Sequence, residues 1–463
     1  MANKEELAED VHFVLEECGR FQQMMTKTDF RKIPPDEFWY QLPRPDGRGF
    51  MICGRAGYDR LNKLADIAAA RARLSKRIQR DTIRKPLGDL IVQRFIAERR
   101  PIDVQQTERI LAAAGRAAAT KCEAVTHLIP CHLMTTKDPD CIDLGPVVFR
   151  NRSATRRLLL AKAREQRDDT SKDRQFARDL LARSIRYFRN FQWLAEVRID
   201  GCDAKTSEIL AERAVLSALD CVQVALRAKN TEKMRVGGPA ISSDRRAGLK
   251  LDKDGKLLAS FSNASLAQIN YPEGWSAALQ NEDISHCLGL CSIALEVAVN
   301  PDLDRPLSRR FLDAAQWFGE ALRDTSASTR IVKFVTALER LLMTEEHDDI
   351  TSLVSERLAA LCFDPDTPGD RERWRERTRR AYALRSRLVH GSISPHDPDV
   401  ARAVPEVAEL TEAALFRGLS AFGVADGLRE TNVGVKFLAK WFQRVIDWAD
   451  RAEAGDPSIA TAD

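Results

Sequence analysis

The sequence predicts a mainly α protein, with a C-terminal helical bundle preceded by a mixed α/β N-terminal region. Three observations carry this. From about Glu282 onward, seven apolar-periodic segments follow one another, separated by Pro, Asp, Gly or Ser. Ala-rich runs such as ADIAAARARL and ILAAAGRAAA give the first quarter high intrinsic helix propensity. Between about residues 122 and 280, short β-rich runs alternate with helical text. The 463 residues suffice for two or three domains. The text divides into a helical region 1–121, a mixed region 122–280, a helical domain 281–451 and a disordered tail 452–463.

Residues 1 to about 30 read as one helix with Val11, Val14, Leu15 and Phe21 on its apolar face. The Pro- and Gly-rich stretch Ile33–Gly57 reads as an irregular connection. Helical text returns from Tyr58 to Lys121. THLIPCHLM and CIDLGPVVF then read as strands, separated by the turn-prone TTKDPD. A helix from Ser153 to about Arg189, a strand Trp193–Ile199 and a helix Ser207–Lys229 follow. GLKLDKDGKLLASFS carries an Asp-Gly turn between apolar runs, a hairpin signal. The final helices are expected near 283–299, 308–324, 330–345, 350–363, 371–390, 399–421 and 434–451.

Composition excludes several classes. Hydrophobic residues make up 44% and charged residues 30%, an ordinary globular balance. Seventy-two basic against 68 acidic residues leave +4, too little to announce a nucleic-acid binder by net charge alone. The longest apolar stretch, Cys287–Val299, is broken by Ser292 and Glu296 and is too short to span a bilayer. The start MANKEELAED lacks the pattern of a secretory leader. Ten scattered cysteines suit reduced thiols, so the expected location is cytoplasmic, with no membrane partner.

Chemistry concentrates in RERWRERTRRAYALRSRLVHGS, Arg371–Ser392. In so arginine-rich a chain the spacing from Arg385 to His390 arises by chance, so the flanking residues carry the information. Arginine stays charged and offers planar donors matched to a phosphate. Histidine can take or give a proton near neutral pH. On an ideal helix five residues turn about 500°, leaving the two side chains about 140° apart. Either the helix ends at His390, with Gly391 as a left-handed cap, or a second subunit completes the site. The segment holds eight arginines against two glutamates. Such a run is either a solvated helix face or an RNA-contacting one, and Arg379, Arg380 and Arg387 are its candidate RNA-binding residues.

The string Tyr382-x-x-Arg385-Ser386-x-x-Val389-His390-Gly391 resembles the signature of Apea-like members of the HEPN superfamily. FVTALERLL, Phe334–Leu342, resembles that family's first motif-bearing helix, and ITSLVSERLAALC the helix between. The resemblance covers about residues 330–425. It implies a helical bundle that forms a homodimer and pools two Arg–His motifs. It further implies a metal-independent endoribonuclease needing no cofactor, which attacks RNA through the 2′-hydroxyl and leaves a 2′,3′-cyclic phosphate. The substrate would be RNA, tRNA or mRNA, in bacterial anti-phage defence or a toxin system, with an inhibitor or trigger protein unidentified. The catalytic set it implies is Arg385, His390, Ser386 and Glu339. Family members commonly follow the arginine with Asn, Asp or His, where this chain has Ser386. That departure keeps open a second reading, a non-cleaving dimer that binds RNA or nucleotide.

Each residue also has a structural reading. His390 at a helix end interacts favourably with the helix dipole. Arg385 reads as one surface arginine among many, Ser386 as a packing residue, and Glu339 as a partner of Arg340. Tyr382 reads as core. Cys122, His127, Cys131, His132 and Cys141 lack the short paired spacings of a zinc site and read as strand and turn residues. His286, Cys287 and Cys291 read as core of a helix. The stretch Arg150–Arg198 is basic but interleaved with acids, and reads as a solvated helix. No phosphate-binding glycine loop, zinc-protease helix or nucleophile elbow is present.

Overall fold

The computed structural model describes residues 3–27, 40–136, 138–157, 173–237, 243–265, 267, 271–272, 274–344, 349–367 and 369–455. The chain is mainly α with a mixed α/β region, and it forms two compact units. The first comprises 1–125 and 199–210, the second 126–198 and 211–463. The middle and C-terminal segments that the text separates at 280 therefore cluster in one unit. Among the described residues no helix is long and apolar enough to cross a membrane.

The first unit is built on α1 (Lys4–Lys27), α2 (Arg55–Arg71), α3 (Arg80–Ile91) and α4 (Val104–Ala119). Leu7, Val11 and Val14 of α1 pack with Leu61, Leu64 and Ala68 of α2, and with Ile83, Leu87, Ile110 and Ala114 of the next two. Heptad-like spacing of these residues makes each helix amphipathic, so burial of one stripe holds the group. The stretch expected to be irregular instead contains a short antiparallel hairpin, β1 (Tyr40–Pro43) with β2 (Phe50–Cys53), registered Tyr40↔Cys53 and Pro43↔Phe50. Pro43 closes its strand and Gly47 and Gly49 take positive φ in the loop, so the breakers mark a turn. The end of that stretch, 55–57, is helical as the start of α2, and 33–39 lies outside the described residues.

The mixed region carries a sheet of β3 (Glu123–His132), β4 (Cys141–Leu144), β5 (Val147–Asn151), β6 (Trp193–Cys202) and β7 (Arg235–Val236) in the order β4-β5-β6-β3-β7. Alternate residues of β6 are buried, and Trp193 donates its ring N–H to Met134 O at 2.9 Å. In chain order α5 (Asp173–Phe188) precedes β6 and α6 (Ala204–Leu226) follows it. Residues 158–172 of the expected Ser153–Arg189 helix lie outside the described residues. The Asp-Gly hairpin forms as β8 (Ser243–Leu251) and β9 (Leu257–Ser265), paired Leu251↔Leu257 across a five-residue loop.

The C-terminal helices are α7 (Glu282–Val299), α8 (Pro306–Arg323), α9 (Ala327–Leu342), α10 (Ile350–Cys362), α11 (Asp370–Val389), α12 (Pro398–Gly423) and α13 (Val435–Glu453). Their starts are chemically marked. Asn281, Ser326, Asp349 and Asp397 each accept a backbone N–H of the first turn through the side chain, and Pro306 and Pro398 occupy first-turn positions. Phe334, Leu338 and Leu341 of α9 are fully buried between α8 and α12. Each such side chain contributes about 1.5–3 kcal/mol relative to exposure. Of the expected tail, residues 452–453 complete α13, and 456–463 lie outside the described residues.

Candidate functional site

Helix α11 ends in a way that fixes His390. Gly391 takes φ +72°, its N–H bonds Leu388 O at 3.3 Å, and Ser392 N–H bonds Arg387 O at 2.8 Å. These two bonds are a Schellman motif, which needs a left-handed residue where glycine has no Cβ penalty. His390 is therefore the cap residue, at φ −87° and ψ 3°, outside the regular helix. Its ring is exposed and makes no hydrogen bond or ion pair among the described residues.

One and a half turns earlier, Arg385 points the other way, into the bundle. Its Nη2 lies 3.8 Å from Glu339 Oε1 on α9, an ion pair too long for a hydrogen bond. Its Nε is buried without an acceptor. Tyr382, one turn back on the same face, is 5% exposed, so its reading as core holds. The Tyr382 hydroxyl lies beside the Glu339 carboxylate and influences its titration, yet completes no hydrogen bond of good geometry. Burial pushes the Glu339 carboxyl above its usual range, while the Arg385 charge and the Tyr382 hydroxyl pull it back. The same burial, with the Glu339 charge alongside, raises the Tyr382 phenol. The result is an acid and two donors held within reach but not satisfied. Ser386 is exposed on the outer face, where its carbonyl accepts the His390 N–H at 2.9 Å. Arg385 and Glu339 are thus brought together. No hydrogen bond joins Arg385 to His390 among the described residues.

The arginine run is largely a set of internal braces. Arg371 is 2% exposed and pairs with Asp450 and with Glu453 at 3.2 Å, both on α13. Arg375 meets Glu356 of α10 at 2.9 Å, and Arg377 meets Glu409 of α12 at 3.2 Å while stacking on Trp374. Arg379 pairs with Glu372 at 3.2 Å, and Arg380 with Glu406 at 2.8 Å. Arg387 is exposed and has no ion pair among the described residues. Carboxylates from three other helices therefore offset most of the local positive charge. Glu339 pairs with Arg385, and Arg340 pairs with Asp313 instead.

Elsewhere, Cys131 and His132 are buried on β3, His132 against Phe191 at 4.7 Å. Among the described residues no group of three or more His, Cys, Asp or Glu is arranged to hold a metal ion. Cys287 and Cys291 are core, but His286 is exposed. One residue on a helix is a 100° turn, which carries His286 off the apolar face. Sequence reasoning missed Arg227, Glu412 and Arg417, which meet at a cleft described below. Their positions are separated by up to about 190 residues, so no local pattern could have joined them.

No family model, no curated protein and no solved structure matches this chain.

Proposed function

We propose that the C-terminal helices form a HEPN-like, metal-independent endoribonuclease that acts as a dimer, in bacterial anti-phage defence or as a toxin. The observation that carries this reading is an exposed cap histidine, His390, that follows by five residues an arginine, Arg385, whose guanidinium completes no hydrogen bond among the described residues. An unfilled guanidinium donor is chemically suited to a phosphate oxygen. In the proposed reaction the 2′-hydroxyl oxygen bonds to phosphorus and the bond from phosphorus to the 5′-oxygen breaks. One His390 takes the hydroxyl proton, and the partner subunit's His390 protonates the leaving 5′-oxygen. Such positioned proton transfer is worth on the order of 10²–10⁴-fold. Arg385 stabilises the charge that builds on the non-bridging oxygens. Glu339 and Tyr382 position Arg385, and Ser386 lines the outer edge. Arg387, exposed and without an ion pair among the described residues, is the arginine of the run best placed to meet an RNA phosphate.

A second reading, a dimer that holds RNA or a nucleotide without cutting, is favoured by Ser386, exposed where the resembled signature carries Asn, Asp or His. Incubating the protein with total tRNA and mRNA separates the two. Cleavage with cyclic-phosphate ends, unaffected by a chelator and reduced at least about 100-fold by both Arg385→Ala and His390→Ala, is the expected result. Intact RNA with a retained gel shift supports the binder. RNA neither cut nor shifted overturns both.

A further inference from the structure

Within the second unit, a cleft of about 840 Å³ opens between the C-terminal end of α6, residues 271–284 and α12. That is within the range of small-molecule sites. Two guanidinium groups line it with little to hold them. Arg417 is exposed and makes no hydrogen bond or ion pair among the described residues. Arg227 is 78% exposed and comes only within 4.0 Å of Glu412. Most α11 arginines are matched to carboxylates at close range, whereas this cleft holds one guanidinium with no partner among the described residues and one whose carboxylate stands 4.0 Å away, a positive pair open to an anion. Their planar donors suit a phosphate.

The carboxylates around them do not fill that role. Glu409 is taken by Arg377 at 3.2 Å. Glu412 is 12% exposed, and its Oε2 accepts the Ala228 N–H at 2.6 Å. Its remaining acceptor capacity suits a ring N–H or amino group. Asp283 sits in the first turn of α7 and adds a further carboxylate to the lining. The aromatic lining is supplied by Tyr271 and Trp275, whose ring centroids lie 4.6 Å apart, and by Trp374. Arg227 itself sits at φ +72° and ψ 145°, backbone that a side-chain-bearing residue rarely adopts, and the Glu412–Ala228 bond holds it there. Such strain clusters at ligand clefts.

We propose that this cleft binds a nucleoside monophosphate, with the phosphate on Arg227 and Arg417, the base against the aromatic wall and its N–H edge on Glu412. The ligand is either a free nucleotide or the 5′-terminal nucleotide of an RNA strand. The proposal uses neither Arg385 nor His390 and stands apart from the ribonuclease reading.

Calorimetric titration of the full chain with AMP, GMP, CMP and UMP, and with the matching nucleosides, tests it. At least one monophosphate binds with a Kd below about 1 mM. Its nucleoside binds at least about tenfold more weakly, as does the nucleotide to Arg417→Ala. Arg402→Ala, an exposed change elsewhere on α12, leaves binding unchanged, and thermal melts show both variants folded. A short RNA with a 5′-phosphate identifies the source. Binding at least about tenfold tighter than the mononucleotide assigns the cleft to a strand end, and equal or weaker binding to the free nucleotide. No monophosphate binding, equal affinity for nucleoside and nucleotide, or undiminished binding to Arg417→Ala overturns the proposal.

Discussion

Asp220, on α6, has no solvent exposure; one carboxylate oxygen meets Arg323 at 2.7 Å and the other has no hydrogen-bond partner. Burial pushes its carboxyl up to about 7, against the pull of the Arg323 charge. An unfolded aspartate releases its proton near 3.8, so between the two values the folded chain holds more protons than the unfolded one. The stabilisation this proton gives is complete below the unfolded value and is lost as pH rises through about 7. At most it amounts to about 4 kcal/mol, since one pKa unit is 1.36 kcal/mol. Between about pH 5 and 8 the melting temperature of the wild type should fall more steeply than that of Asp220→Asn, which cannot titrate. Parallel curves for the two proteins would sink this account. The same arithmetic does not extend to Glu339, which is partly exposed and shares its surroundings with Arg385.

Helices α6 and α8 approach each other at Gly319, where a Cβ would lie 1.9 Å from Asp220 Oδ1 and 2.9 Å from Arg323 Nη1. In an ordinary helix interior, glycine to alanine gains about 1 kcal/mol. Here the methyl would displace the buried ion pair, and overpacking of this kind costs about 1–3 kcal/mol. Gly319→Ala should therefore lower stability in a urea titration, and an increase would show that the helices part without cost. The element scale is also where the sequence is most readable. All seven C-terminal helices end within three residues of their expected bounds, because caps such as Ser326 and Asp349 and breakers such as Pro306 and Gly391 act locally. The β1–β2 hairpin was hidden by the same logic, since its strands are four residues each and its prolines and glycines outweigh them. The arginine run was the least readable segment. Its charge is plain in the text, but Glu356, Glu406, Glu409, Asp450 and Glu453 arrive from other helices, and only the folded chain pairs them. The cleft was illegible for the same reason.

At the scale of the whole molecule, the proposed nuclease requires two copies, since His390 is exposed at a helix end while Arg385 faces its own bundle. Mixing wild-type protein with an excess of His390→Ala protein should lower cleavage below what dilution alone gives, because a mixed pair keeps only one of the two imidazoles the reaction uses. Activity that falls only in proportion to the wild-type share argues for a site complete within one chain. The hairpin of β8 and β9 is a second feature of this scale, with Leu249, Leu251, Leu257 and Phe261 on one face and each more than 60% exposed. An isolated two-stranded ribbon is marginal in water. The Arg371 brace has a practical side. Its guanidinium sits deep in the bundle, and Asp450 and Glu453 near the end of α13 supply two of the three carboxylates that neutralise it, Glu356 being the third. Trimming the chain by a protease or by design is harmless only if the cut falls after residue 453. A cut before 450 leaves Arg371 with Glu356 alone, at 3.8 Å, and so weakens the bundle. An affinity tag should not replace this helix.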